Sequence, residues 1–250
     1  MARGLFESRA KARAAIEAGG VSADGRPVLR AAEMLPDGAA LEARAAHPWV
    51  GRGALKLLHA LETWPVAVAG RVALDVGAST GGFAEVLLSR GAARVYAVDV
   101  GRGQLHPRIA ADPRVVSLEG VDARRLDSTL IPEAPQLVVS DVSFIGLAKA
   151  LPAALAIAAE GADLVALVKP QFEVGPARVG KGGVVADPAA RAKAVAGVAG
   201  FLAQAGWRVR ATAESPIAGG DGNRETLLWA RKGRPRAPGE RPGSDQSTTA

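Results

Sequence analysis

Residues 74–83 read Leu74-Asp75-Val76-Gly77-Ala78-Ser79-Thr80-Gly81-Gly82-Phe83. The apolar run over 71–76 predicts a buried strand, and the residues after the glycines predict a helix that continues to Arg90. Glycines in such a loop let the backbone turn sharply and approach a ligand closely. The N–H groups at the start of the helix then point at that ligand. The stretch therefore predicts a strand, a ligand-binding loop and a helix, with a glycine spacing that differs from the dinucleotide pattern.

Strands and helices continue to alternate from this stretch towards the C-terminus. Such alternation predicts an α/β fold with a doubly wound, mostly parallel sheet of the Rossmann-like kind. Ligands bind beyond the carboxyl ends of the strands in these sheets, so functional residues should come directly after each strand. We predict strands over 94–98, 115–118, 136–140 and 163–168, a helix over 188–204, and closing strands over 207–213 and 225–230.

Three acidic residues occupy positions that suit a nucleoside. Asp99 ends the second strand, eighteen residues after Gly81, where a carboxylate can accept both hydroxyls of a ribose. Asp122 follows the third strand and can accept the amino group of an adenine. Each acid alone is compatible with an ordinary turn or cap. Together with Asp75, which stands two residues before Gly77, their order along the chain predicts a nucleoside cofactor.

Lys169 ends the apolar strand over 163–168 and is followed by proline. A buried ammonium group must be paired or lose its proton, because an unpaired charge is costly to bury. Beside Asp141, which follows the fourth strand, such a lysine can accept the proton of a ribose hydroxyl, which is a very weak acid. The alternative is structural, with Lys169 reaching towards water and pairing with Asp141. The residues alone leave both interpretations open.

The composition excludes several classes of protein. The 250 residues contain no cysteine, which excludes disulfides and thiolate metal sites, and we expect no bound metal. The first residues are too polar for a signal peptide, and no apolar run is long enough to span a bilayer. We therefore expect a cytoplasmic protein that does not insert into membranes.

The net charge of +6 is located at the two ends of the chain. Residues 1–60 carry nine Lys/Arg against six Asp/Glu, residues 61–230 carry seventeen of each, and residues 231–250 carry five against two. Basic ends predict contacts with the phosphates of a polyanion such as a nucleic acid. A solvated basic surface is the alternative.

The chain divides into four predicted segments. Residues 1–46 predict a small module, with a helix over 9–18 that begins after Ser8 and a hairpin around Asp24-Gly25. A linker and leading helix should follow over 47–69, and the sheet domain over 70–232. Residues 233–250 are rich in Pro, Gly, Ser and Thr, which predicts a disordered basic tail.

Several short segments, specific only in combination, resemble the TlyA type of ribosomal RNA 2′-O-methyltransferases. These haemolysin A-like proteins have an FtsJ-like methyltransferase fold, and the resemblance covers residues 3–230. Besides residues 74–83, it is carried by RGLFESR (3–9), RGALKL (52–57), YAVDVG (96–101), DVSF (141–144), VKPQFE (168–173), GGVV (182–185), SPI (215–217) and DGNRE (221–225).

The resemblance implies S-adenosylmethionine as cofactor and cytidine riboses of ribosomal RNA, in one or both ribosomal subunits, as substrate. It also implies a small RNA-binding fold for the first module. The implied cofactor-binding residues are Asp75, Gly77, Ser79, Thr80, Gly81, Gly82, Phe83, Asp99, Val100, Asp122 and Ala123. The implied RNA-binding residues are Arg3, Arg9, Lys11, Arg13, Arg26 and Arg52.

The family's catalytic Lys-Asp-Lys-Glu tetrad carries over by motif. Its members would be Lys56, Asp141, Lys169 and Glu225. Lys169 would activate the hydroxyl, and Asp141 and Glu225 would orient it. Lys56 would hold the substrate and counter the carboxylates.

The resemblance has one departure. Family members usually carry a helix that begins with an Arg-Leu-Asp motif before the RGLFESR segment. We therefore expect either that the true start of the protein lies upstream or that the first module lacks its first helix. Three alternatives remain: a non-catalytic RNA-binding or ribosome-assembly protein, a membrane-active haemolysin, and a small-molecule methyltransferase or oxidoreductase. The sequence predicts neither an oligomeric state nor a target nucleotide.

Overall fold

The structure is a computed structural model that describes residues 3–233. The predicted disordered tail therefore lies, from residue 234 onward, outside the described residues. The chain forms two compact units, one that ends at Trp49 and one that begins at Val50. No helix within residues 3–233 is long and apolar enough to cross a membrane.

The first unit packs one helix against a small antiparallel sheet. Helix α1 (Arg9–Glu17) begins after Ser8, whose hydroxyl accepts a hydrogen bond from the backbone N–H of Lys11. Strands β1 (Val21–Ala23) and β2 (Arg26–Pro27) form the predicted hairpin. The turn residues Asp24 and Gly25 both have positive φ angles, as its tight geometry requires. Strand β3 (Leu41–Ala43), which was not predicted, pairs with the other side of β1.

The second unit is built around a seven-stranded sheet in the order β6-β5-β4-β7-β8-β10-β9. The first five strands in this order, from β6 at the edge to β8, are parallel to one another. Strand β10 is antiparallel to both of its neighbours. The predicted doubly wound, mostly parallel α/β fold is confirmed. In chain order the elements are α2 (Gly53–Thr63), β4 (Val72–Val76), α3 (Gly82–Ser89), β5 (Arg94–Asp99), α4 (Pro107–Ala110), β6 (Val115–Glu119), β7 (Leu137–Ser140), α5 (Leu147–Ala150), α6 (Pro152–Ile157), β8 (Asp163–Val168), α7 (Pro170–Glu173), α8 (Pro188–Gln204), β9 (Trp207–Glu214) and β10 (Thr226–Lys232).

Alternate residues of the strands point to opposite faces of this sheet. One face carries an apolar core in which α6 and α8 pack on side chains such as Leu74, Val138 and Leu164. Helices α2 and α3 pack against each other, and α3 contacts β4 and β5. Helices α5, α6 and α7 were not predicted, since each is six residues or shorter and too short to show a periodic pattern.

The chain order of the strands reverses next to β4. The chain runs from β4 outward to β5 and β6, and then returns to the other side of β4 as β7. The connections that follow β4 and β7 therefore run in opposite directions along the sheet, which opens a crevice at its carboxyl edge. This crevice is where the fold places a ligand.

Candidate active site

A cleft of about 600 Å³ lies at the carboxyl edge of the parallel strands, within the size range of small-molecule sites. We call it the larger cleft. Its lining comes from the loops that follow β4, β5, β6 and β7. The lining consists of residues 76, 77, 79, 98–101, 104, 121–124, 141–145 and 150.

Gly77 and Ser79 of the glycine loop line this cleft. Gly77 has φ +88° and donates its N–H to the carbonyl of Val98. A Cβ at this position would lie 3.1 Å from the backbone of Val142, so the two loops can approach closely only because residue 77 is glycine. Ser79 also has a positive φ, +47°, which is unusual for a residue with a side chain.

Asp99 projects its carboxylate into the larger cleft at the end of β5. One oxygen accepts the N–H of Ser79 and the other accepts the N–H of Gly101, both at 2.8 Å. These bonds fix the carboxylate, and each oxygen keeps a further lone pair for a ligand hydroxyl. Val100, next in the chain, is exposed within the same cleft.

Asp122 also lines the larger cleft, but its carboxylate already has a strong partner. The guanidinium of Arg124 lies 2.6 Å from it and donates to both oxygens. This arginine lowers the pKa of Asp122 to about 2. An adenine amino group would therefore have to share Asp122 with Arg124, a competition that was not predicted. Ala123 lies beside them in the lining.

Asp75 is placed differently from the other acids, because it is fully buried and lines neither this cleft nor the smaller one described below. Burial raises the pKa of Asp75 to about 8, and the nearby charge of Asp141 adds to the effect. The backbone N–H of Ala84 offsets part of this rise without making a hydrogen bond of good geometry. Asp75 is therefore a neutral carboxylic acid at pH 7, behind the glycine loop. Gly81 is likewise absent from both linings, and its Cβ position is filled by Leu105 and Ile109.

A smaller cleft of about 270 Å³ adjoins the larger one. The two share Gly77, Ser79, Asp141 and Ser143, so they meet at the ends of β4 and β7. The smaller cleft is the more basic of the two, since two lysines and an arginine line it. Its lining consists of residues 51–53, 56, 77–80, 82, 83, 141, 143, 169, 217 and 218.

Three residues of the predicted tetrad, Lys56, Asp141 and Lys169, line this smaller cleft, and the buried Glu225 joins them through Lys56, so the four form a line of ion pairs. Nζ of Lys169 lies 2.6 Å from Oδ1 of Asp141, and Nζ of Lys56 lies 3.7 Å from Oδ2 of the same carboxylate. Lys56 also contacts Glu225 at 2.6 Å. Both lysines and Glu225 are buried, with 2% to 8% of each residue exposed. Glu225 was expected to orient Lys169, but within the described part of the chain its ion pair is with Lys56.

Two residues of the loop after β7, Ser143 and Phe144, belong to the DVSF segment but were given no role from the sequence. Ser143 accepts a hydrogen bond of 2.7 Å from Nζ of Lys169, and it lines both clefts. Phe144 has a positive φ of +66° and leaves 92% of its surface exposed, with its ring 5.5 Å from that of Phe172. The spacing of Ser143, two residues after Asp141, was the available signal, but a serine in a loop has many ordinary roles.

Some of the predicted RNA-binding side chains contact other groups of the protein, whereas others are exposed to solvent. Arg52 lines the smaller cleft at the beginning of α2. In the first unit, Arg3 donates to the backbone carbonyls of Asp37 and Ala39. Lys11 pairs with Glu7, and Arg13 pairs with Glu17. Within the range 3–233, Arg9 and Arg26 are exposed and have no ion pair.

The second unit matches a known protein family. Residues 49–232 match the FtsJ-like methyltransferase family model. A protein of known structure from Streptococcus thermophilus is 38% identical and superposes with a TM-score of 0.76, over 93% of this chain and 86% of that one. Both findings agree with the glycine loop and the strand order described above.

Two curated relatives extend the match to nearly the whole chain. The 16S/23S rRNA (cytidine-2′-O)-methyltransferase TlyA of Mycobacterium tuberculosis is 50% identical, over 94% of this chain and 88% of that protein. Hemolysin A of Brachyspira hyodysenteriae is 37% identical, over 90% of this chain and 94% of that protein. The chain therefore belongs to the FtsJ-like methyltransferase family and, within it, to the TlyA group.

Proposed function

We propose that this protein transfers the methyl group of S-adenosylmethionine to the ribose 2′-hydroxyl of a cytidine in ribosomal RNA. The observation that carries the proposal is the ion pair of Lys169 with Asp141 at the junction of two adjoining clefts. The names of two relatives, which specify cytidine-2′-O-methylation of ribosomal RNA, support the choice of substrate. We further propose that it acts on ribosomal subunits in the cytoplasm.

The larger cleft fits this cofactor. When bound, S-adenosylmethionine supplies an electrophilic methyl group on a sulfonium, attached to an adenosine. Asp99 would hold the ribose hydroxyls, because its fixed carboxylate faces the cleft with lone pairs to spare. Val100 and Ala123 would cover the adenine, and Gly77 would allow the amino-acid part to lie against the backbone.

Lys169 is the proposed proton acceptor. A ribose hydroxyl is too weak an acid to attack without help, so a base must take its proton as the new bond forms. Nζ of Lys169, as the free amine, would take that proton at the boundary of the two clefts. Oδ1 of Asp141, at 2.6 Å, would stabilise the ammonium that results.

Lys56 and Glu225 would hold the base in place. Asp141 has a lysine Nζ beside each of its two oxygens, which fixes the plane of its carboxylate. Glu225 in turn anchors Lys56 at 2.6 Å. Much of the rate acceleration would come from this fixed geometry, because a substrate held close to the reacting methyl group needs little further rearrangement.

Arg52 and the first unit are proposed to hold the RNA. The guanidinium of Arg52 is the exposed cation in the lining of the smaller cleft and suits a phosphate next to the target ribose. Arg9 and Arg26 in the first unit are free to neutralise further phosphates.

The direct test is methylation of ribosomal subunits that lack the modification. We expect the purified protein to transfer labelled methyl groups from S-adenosylmethionine to the RNA. After nuclease digestion the label should occur in 2′-O-methylcytidine, and the methylated linkage should resist alkaline hydrolysis.

Lys169→Ala should lose at least a hundredfold in rate while it keeps its cofactor affinity. Lys193→Ala is the matched control, since Lys193 is an exposed lysine on α8 that lines neither cleft. Label in a base, or in a small molecule and not in RNA, would contradict the proposal.

A further inference from the structure

We propose that Ser143 is a positioning residue that aims the amine of Lys169 at the ribose hydroxyl. The proposal rests on the function proposed above and assigns a role to a residue outside the tetrad. Ser143 follows β7, and Lys169 follows the neighbouring strand β8, so the parallel sheet brings the two side chains to one edge. The Ser143 Oγ atom lies 2.7 Å from Nζ of Lys169.

The number of hydrogens on Nζ depends on its charge. A lysine ammonium has three N–H donors, whereas the free amine has two donors and one lone pair. Nζ of Lys169 has two short contacts, to Oδ1 of Asp141 at 2.6 Å and to Oγ of Ser143 at 2.7 Å. Its third contact, to the backbone carbonyl of Asp141, is 3.4 Å long and correspondingly weak.

Nζ therefore donates hydrogen bonds to Oγ of Ser143 and, more weakly, to the backbone carbonyl of Asp141, while its contact with Oδ1 of Asp141 is an ion pair. When both hydrogens are engaged, rotation about the Cε–Nζ bond stops and the lone pair is left in the one remaining tetrahedral direction. Without Ser143, one hydrogen loses its acceptor and the amine can rotate, so its lone pair points in several different directions. Only one of those directions serves proton transfer, so the fraction of productive orientations falls.

The surroundings of Ser143 agree with this role. The side chain of Lys169 is only 9% exposed, so its orientation is set mainly by contacts with the protein. Ser143 lines both clefts, which places its hydroxyl where the methyl donor and the ribose would meet. The residue itself is exposed, so its substitution should not disturb the core.

The experiment compares Ser143→Ala with Ser143→Thr in the full chain. Ser143→Ala should lower kcat for RNA methylation about tenfold, the usual effect of losing one hydrogen bond to a reacting group. The dissociation constant for S-adenosylmethionine, measured by calorimetry, should stay within about twofold, because the proposed role of the Ser143 hydroxyl is to hold Lys169. Ser143→Thr keeps the hydroxyl and should recover most of the rate.

Ser79→Ala is the contrasting variant, because Ser79 also lines both clefts but belongs to the glycine loop. Its effect should fall on the cofactor dissociation constant. The proposal is overturned if Ser143→Ala turns over at the wild-type rate, if its whole effect is on cofactor binding, or if threonine restores nothing. An inactive wild-type protein would instead refute the proposed function, so the two failures are distinguishable.

Discussion

Lys56 and Glu225 form an ion pair of 2.6 Å between residues that are 169 positions apart in the chain. The pair connects α2, which precedes the sheet, to the residue directly before β10 at the opposite end of the unit's sequence. Glu225 is 2% exposed, and a Cβ on Gly219 would lie 2.5 Å from its Oε1 atom. The carboxylate is therefore enclosed by protein and depends on Lys56 to balance its charge.

Glu225→Gln should destabilise the protein because it leaves the buried ammonium of Lys56 with only its longer, 3.7 Å contact to Asp141. We expect a loss of about 3 kcal/mol in the free energy of unfolding, measured by urea denaturation. The double variant Lys56→Met with Glu225→Gln removes both charges and should recover most of that stability. It should nevertheless remain poorly active, since Asp141 then lacks its second partner. A double variant no more stable than the single one would show that the pair is not the source of the loss.

The strand pattern was sufficient to predict that Asp141 and Lys169 meet, whereas Lys56 and Glu225 were added to them by the resemblance to the TlyA family. Strands β7 and β8 are apolar and parallel, so the residues that follow them, Asp141 and Lys169, must meet at one edge of the sheet. The partner of Glu225 could not be predicted in the same way. Both lysines lie at that edge of the sheet. Glu225 pairs with Lys56 and not with Lys169 because of side-chain conformations that the spacing of residues in the sequence does not indicate.

Three other features were beyond sequence reasoning for physical reasons. Strand β3 has only three residues, and it forms because β1 offers an open edge and not because of its own pattern. The guanidinium of Arg124 could point into water or pair with Asp122, and the sequence does not indicate which side-chain conformation it adopts. The glycine-loop motif assigned Asp75 to the cofactor site, whereas in the structure this carboxyl is enclosed behind the loop.

Asp75 should make the stability of the protein fall as the pH rises. The pKa of its carboxyl is ordinarily 3.8 and is raised to about 8 in the folded protein, so between these values the folded state holds a proton that the unfolded state releases. The stabilisation linked to this proton is complete below about pH 4 and is lost as the pH rises through about 8. The expected slope is about −1.4 kcal/mol per pH unit within that window.

Asp75→Asn tests this dependence because the amide mimics the neutral acid and does not titrate. Urea denaturation of both proteins at pH 5, 6, 7 and 8 should show that the free energy of unfolding of the variant increases relative to that of the wild type at each step. Parallel stability curves would mean that Asp75 is ionised or solvated in the folded protein, contrary to its burial.

Asp99→Asn should weaken the binding of S-adenosylmethionine by about 1–3 kcal/mol, because a ribose hydroxyl loses a carboxylate acceptor. The amide oxygen can still accept one of the two backbone N–H groups that Asp99 now binds, so the loop should keep its shape. Asp122→Asn is the matched comparison and should have a smaller effect, since Arg124 already occupies that carboxylate. Calorimetric titration measures both, and equal losses for the two variants would remove the special role of Asp99.

Arg9 and Arg26 should contribute more to RNA binding than Arg13, although all three are basic residues of the first unit. Arg13 is paired with Glu17 at 2.7 Å, so part of its charge is already balanced, whereas Arg9 and Arg26 have no ion pair within residues 3–233. Each phosphate contact releases condensed counterions and adds about one to the slope of log Kd against log salt concentration. The double variant Arg9→Ala with Arg26→Ala should therefore lower that slope by about two, and Arg13→Ala should change it by less. Filter-binding titrations of ribosomal RNA at several salt concentrations give the slopes, and an unchanged slope in the double variant would mean that the basic side chains of this unit are only solvated.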